Sequence, residues 1–198
     1  MPARSNAALT RRRLGGAVLL LAGIAVAAVV LWPSGVWPRG DDHSAAQKKL
    51  PVRFVSVPPL GLVFAHPTSW QRTVRKRVIG LRAPGGSVLV YFSSPVAKPA
   101  RREVKAAAER QLRKQFAPAK IVREGPGRLG DRTVSSFELR GRSKAGPVRA
   151  LVLVDSTDYR TYAVTVLTGP KPSRRRLGEA RAIISTVRLG KPQALRSK

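Results

Sequence analysis

RALVLVDSTDYRTYAVTVL, residues Arg149–Leu167, decides how the chain folds. Two runs rich in Val and Leu, Arg149–Asp155 and Tyr159–Leu167, flank the polar tetrad Asp155-Ser156-Thr157-Asp158. Such runs are the signature of buried strands, and a short polar gap between them makes a hairpin. This hairpin is expected to be the centre of an antiparallel sheet. Asp155 and Asp158 are assigned to its turn, where an aspartate bonds its own backbone.

Working outward, Thr133–Arg140 alternates apolar Val134 and Leu139 with polar neighbours, and Ile121–Glu124 forms a strand ending at Gly125-Pro126-Gly127. Val104, Ala108, Leu112 and Phe116 recur every four residues, so Ala100–Phe116 is expected to be a helix with one apolar face. Further upstream, Leu62–Ala65, Val78–Leu81 and Ser87–Phe92 are expected strands, with His66-Pro67-Thr68-Ser69 and Pro84-Gly85-Gly86 as turns. Val52–Val57 alternates and suits an added edge strand. Downstream, Ser173 can cap a last helix over Arg174–Ser185, whose Leu177, Ala180 and Ile184 share a face. A run of strands with one inserted and one terminal helix is an α+β layer structure.

The N-terminal third has a different character. Leu14–Trp32 carries no charge, and its nineteen residues would span roughly 28 Å as a helix, about one bilayer core. Ten of them are Leu, Ile or Val, which favours insertion by about 3–6 kcal/mol. Arg4 and Arg11-Arg12-Arg13 precede this stretch, and the bias of basic residues puts the N-terminus in the cytoplasm and the domain outside. The apolar run exceeds a signal-peptide core, and bulky Trp32 and Trp37 replace a small-residue cleavage site, so a retained anchor is expected. The organisation is then a basic tail (1–13), a transmembrane helix (14–32), a Pro-rich linker (33–59), one domain (60–190) and a polar, frayed tail (191–198).

Thirty-eight Lys and Arg against ten Asp and Glu give a net charge of +28. A field of that size concentrates anionic partners around the molecule. The candidate anion-contacting residues are the clusters Arg75-Lys76-Arg77, Arg101-Arg102 and Arg174-Arg175-Arg176. The second and third stand near helix starts, where the macrodipole disfavours cations. Aromatic residues are sparse and fall on core-like positions, which argues against nucleic acid, whose readers stack bases on aromatics.

Catalytic and metal chemistry find little support. There is no cysteine, hence no disulfide, thiolate ligand or acylated anchor. His43 lies in the linker, and His66 is expected to be structural or exposed. Gly125-Pro126-Gly127-Arg128-Leu129-Gly130 spells G-x-G-x-x-G, but a strand follows it, so no helix N-terminus is there to hold a pyrophosphate, and it is expected to be a loop. No catalytic residue, cofactor site or metal site is assigned.

Phe64-Ala65-His66-Pro67-Thr68-Ser69-Trp70 resembles the opening F-x-x-P-x-x-W of the Mog1/PsbP-like fold family. The strand Tyr162–Val166 and the closing Ala182–Leu189 segment are similar to the family's end, so the resemblance covers about Leu60–Leu189. It implies an antiparallel sheet sandwiched between helices. It also implies a binding or accessory role, since members assist a photosystem, bind a nuclear small GTPase, or serve in bacterial envelopes as lipoproteins or chaperones. No partner-contacting motif of the family matches here residue by residue. The expectation is a single-pass bacterial envelope protein exposing a non-catalytic module toward a protein or an anionic envelope polymer. An envelope enzyme and a cationic nucleic-acid binder are the alternatives.

Overall fold

A computed structural model of the chain describes residues 51–193, apart from 76 and 96–98. The expected tail and transmembrane helix (1–32) and most of the linker lie outside the described residues. Within them, no helix is long and apolar enough to cross a membrane.

The elements run β1 (Val52–Val57), β2 (Leu62–Pro67), β3 (Gln71–Arg75), β4 (Val78–Arg82), β5 (Val88–Ser93), α1 (Arg101–Gln115), β6 (Lys120–Leu129), β7 (Arg132–Ser143), β8 (Gly146–Ser156), β9 (Thr161–Thr168), α2 (Arg174–Ser185) and β10 (Arg188–Leu189). Among the described residues they form an antiparallel seven-stranded sheet, β3-β4-β5-β9-β8-β7-β6, and a small sheet, β1-β2-β10. The expected hairpin is its middle, with Leu153 opposite Val164 and Val154 opposite Ala163. Every residue of β9 is buried, because both faces of the sheet are covered there.

Side-chain alternation sorts the core into two halves. Leu89, Val148, Ala150, Val152, Val154, Ala163 and Leu167 meet Val104, Ala108 and Leu112 of α1 on one face. Val88, Val90, Phe92, Leu153, Val164 and Val166 meet Leu177, Ala180 and Ile183 of α2, together with Leu62 and Phe64 of the small sheet, on the other. The α+β architecture with its large antiparallel sheet between helical layers is as expected, and a small sheet joins α2 in the second layer.

Several local expectations are corrected. The hairpin turn is Thr157–Arg160, closed by the Thr157 N–H donating to the Arg160 carbonyl at 2.8 Å, so Asp155 sits inside β8. Val52–Val57 is the expected edge strand, β1, with Val57 opposite Leu62, and it belongs to the folded unit although it falls within the expected linker bounds. Gly125–Leu129 is not a loop but part of β6, whose register with β7 shifts between Ile121 and Arg123. Gly127 and the following Gly130 have steric reasons. A Cβ on Gly127 would strike the Leu153 side chain, and Gly130, at φ 61°, turns the chain against the Val187 carbonyl. The start of the expected frayed tail is held, since the Gly190 and Gln193 N–H groups donate to the Gly61 and Pro58 carbonyls at 2.7 and 2.8 Å.

Candidate functional site

Two acidic side chains are buried, and each is bracketed by arginines. On α2, Ser173 caps the helix by accepting from the Arg176 N–H, which sets Arg175 and Arg176 one turn before Glu179. The Glu179 carboxylate is 4% exposed and accepts from Arg175 Nε at 3.0 Å, from Arg176 Nη1 at 2.7 and 2.9 Å, and from the buried Trp70 Nε1 at 2.8 Å. Burial opposes its ionisation, but the hydrogen bonds from Arg176, Trp70 and Arg175 outweigh that and hold the carboxyl below its usual value. At the other end of the sheet, Asp155 is 1% exposed and paired with Arg101 at the start of α1 and with Arg132 at the start of β7.

The expected cationic clusters therefore divide. Arg101 is turned onto Asp155, Arg102 is exposed, and Arg75 and Arg77 sit on the β3–β4 hairpin, where Arg77 donates to the Pro95 carbonyl at 3.2 Å. Lys76 lies outside the described residues. Val78 opposite Ser93 and Ser93 opposite Ala163 put that hairpin at the Asp155 end of the sheet. Arg174, Arg175 and Arg176 follow β9 and stand at the opposite end, so the three clusters are not one patch.

Register builds another cationic group that the linear sequence conceals. Lys120 of β6 lies opposite Arg140 of β7, and Arg140 opposite Arg149 of β8, so three cations sit side by side across three strands. The same row continues to Thr168 and Val88, which places it on the α2 face at the end where α2 begins. Arg123 lies opposite Glu138, and Arg142 follows Arg140 on the same side. Lys120, Arg123, Arg140 and Arg142 are exposed, whereas Arg149 is half-buried and paired to Glu138 at 2.6 Å. Burial, seconded by Arg140, lowers the affinity of Arg149 for its proton despite Glu138.

His66 is buried in β2, where its Nδ1–H donates to the Pro67 carbonyl at 2.8 Å and Nε2 has no hydrogen-bond partner among the described residues. Burial lowers its pKa, and Arg72 and Arg53 push the same way against the Pro67 carbonyl. A histidine that is harder to protonate when folded costs stability as soon as the unfolded chain takes up the proton. The urea midpoint should therefore fall as pH drops below about 6.5, and His66→Gln should lose that part of the slope. An unchanged slope would show that His66 protonates freely in the folded chain.

Among the described residues, no three His, Cys, Asp or Glu side chains gather as a metal site would require.

No protein-family profile matches the sequence, and no curated protein matches it significantly. Solved structures do. The chain is similar to the solution structure of cyanobacterial PsbP (CyanoP) from Synechocystis, with 10% identity and a TM-score of 0.50 over 75% of this chain and 98% of that one. LpqN of Mycobacterium tuberculosis, described as involved in cell envelope biogenesis, matches with 11% identity and a TM-score of 0.44 over 71% and 91%. A protein of Bacteroides thetaiotaomicron matches with 14% identity and a TM-score of 0.47 over 70% of this chain, which spans about half of that protein's length, 48%. At such identities the likeness is one of backbone architecture, and in that sense this chain has the fold of the Mog1/PsbP-like proteins.

Proposed function

We propose that this chain is a non-catalytic binding module, held by Leu14–Trp32 at the outer face of a bacterial membrane, whose partner is a protein or an anionic envelope polymer. The observation that carries the reading is the surplus of base. Ten acids can neutralise at most ten of 38 cations, and the two buried acids, Glu179 and Asp155, already hold two arginines each. The remaining charge gives the folded state no acid to pair with, and it does attract anions. Strand β1 begins at Val52, so a coil of 33–51 would hold the domain at a root-mean-square distance of about 25 Å from the anchor.

Fractionation of cells making the full chain with a C-terminal tag tests the reading. The chain is expected in the membrane pellet, resistant to alkaline carbonate, with its tag digested when protease is added to spheroplasts. A shortened form in the medium, or a tag protected in spheroplasts, would overturn it.

A further inference from the structure

The Lys120–Arg140–Arg149 row is costly as architecture. Adjacent strands run about 4.8 Å apart, and like charges directly opposite one another in a sheet are destabilising by roughly 0.2–1 kcal/mol per pair. Glu138 pairs with Arg149, while Lys120 and Arg140 face each other directly. The apolar part of this face ends at Leu151, which packs against the α2 side of the core, and beyond it the strands present cations to solvent.

Shape and composition narrow the partner. The helix α2 and the small sheet pack on the neighbouring part of this face, so the cations form a floor one helix diameter, roughly 10 Å, below the top of α2. A flat bilayer resting on α2 would stand off from that floor by up to about a Debye length, over which salt weakens its field. A slender chain can lie along the step. Phe137, the one aromatic residue of β6, β7 and β8, belongs to the α1 side, and bases would lack a stacking platform. An extended acidic peptide repeats its charges on one side only every 6.6–6.8 Å or so, wider than the strand spacing. A phosphate offers several acceptor oxygens and can bridge two neighbouring cations at once.

Resting on the reading of this chain as an anion-binding module, we propose that the floor made by Lys120, Arg123, Arg140, Arg142 and Arg149 binds a linear phosphate-bearing polyanion that carries no bases. The test uses the full chain in nonionic detergent, with fluorescently labelled inorganic polyphosphate as probe and polyglutamate and anionic phospholipid vesicles as parallel arms. Polyphosphate should bind most tightly of the three. In Lys120→Gln/Arg140→Gln/Arg142→Gln its affinity at 0.1 M salt should fall at least tenfold, and the slope of log affinity against log salt should flatten by about 2, roughly 0.7 for each lost contact. Arg110→Gln/Lys114→Gln, on the exposed side of α1, should bind like wild type, and Arg140→Lys/Arg142→Lys should stay within about threefold. Equal binding by the triple variant would overturn the floor while leaving the anion-binding reading standing, as would tighter binding of polyglutamate or vesicles. Failure of wild type to bind any of the three would overturn that reading itself.

Discussion

Phe64→Ala is expected to lose about 3–5 kcal/mol of folding free energy, as large as any single apolar truncation in the domain. Phe64 is fully buried in β2 and stacks on Phe92 of β5, ring centroids 4.5 Å apart and planes 20° from parallel. It is the largest apolar side chain that the small sheet sends into the core shared with the large one. Val55, Leu60 and Leu62 pack beside it in the same core, and hydrogen bonds add to them, Tyr162 Oη donating to the Leu60 carbonyl at 2.6 Å and the Ala65 N–H donating to Thr186 Oγ1 at the end of α2 at 2.9 Å. Each hydrogen bond is worth about 1 kcal/mol net and cannot replace the ring. Urea unfolding checks the value, and a loss under 1 kcal/mol would show that the small sheet is held by something else.

Glu179→Ala is expected to cost a comparable amount, about 3–5 kcal/mol, because it removes the acceptor from the buried Trp70 indole and the half-buried Arg176 guanidinium at once, besides the exposed Arg175. Trp70 Nε1 lies under α2 with Glu179 as its acceptor, and the Arg176 side chain is only 20% exposed. The corresponding change at Asp155 should cost less, because Arg101 and Arg132 are 44% and 43% exposed and water can take the place of the carboxylate. Glu179 also sets an acid limb. Its folded pKa is depressed, so its contribution is fully present above the unfolded value near 4.5 and is lost as pH falls through the folded value. Glu179→Ala should therefore flatten the stability profile below about pH 4.5, in a window separate from that of His66. A variant within 1 kcal/mol of wild type at pH 7 would remove Glu179 from this role.

What the sequence disclosed follows from how local each signal is. The β8–β9 hairpin was legible because β9 and the Val152–Asp155 part of β8 are buried on both faces, so both strands contain apolar runs. Helix α1 was legible because its apolar spacing is uninterrupted, and α2 because of Ser173. Strand β3 was not, since Gln71–Arg75 is an edge strand exposed at every residue and carries no alternation. Asp155 looked like a turn residue because its neighbours Ser156 to Asp158 are polar, and only its 1% exposure and two arginine partners reveal it as an anchor. Glu179 had an indirect signal. A buried Trp seeks an acceptor for its indole N–H, and acids are scarce in this chain. The cationic row had none. Lys120, Arg140 and Arg149 are far apart along the chain, and a bulge in β6 together with the Gly130 turn sets the register that aligns them. The clusters that stood out in sequence, Arg101-Arg102 and Arg174-Arg175-Arg176, proved to contribute partly to holding the two buried acids.

Four arginines secure the two buried acids, whereas Lys120, Arg140 and Arg142 leave their charge for a partner. The unfolding midpoint of Lys120→Gln/Arg140→Gln/Arg142→Gln, measured beside wild type at low salt, tests that division most directly. Relief of like-charge repulsion should leave the midpoint equal or higher, by up to about 1 kcal/mol. A clear drop would mean that these cations hold the sheet together, and the division would be wrong.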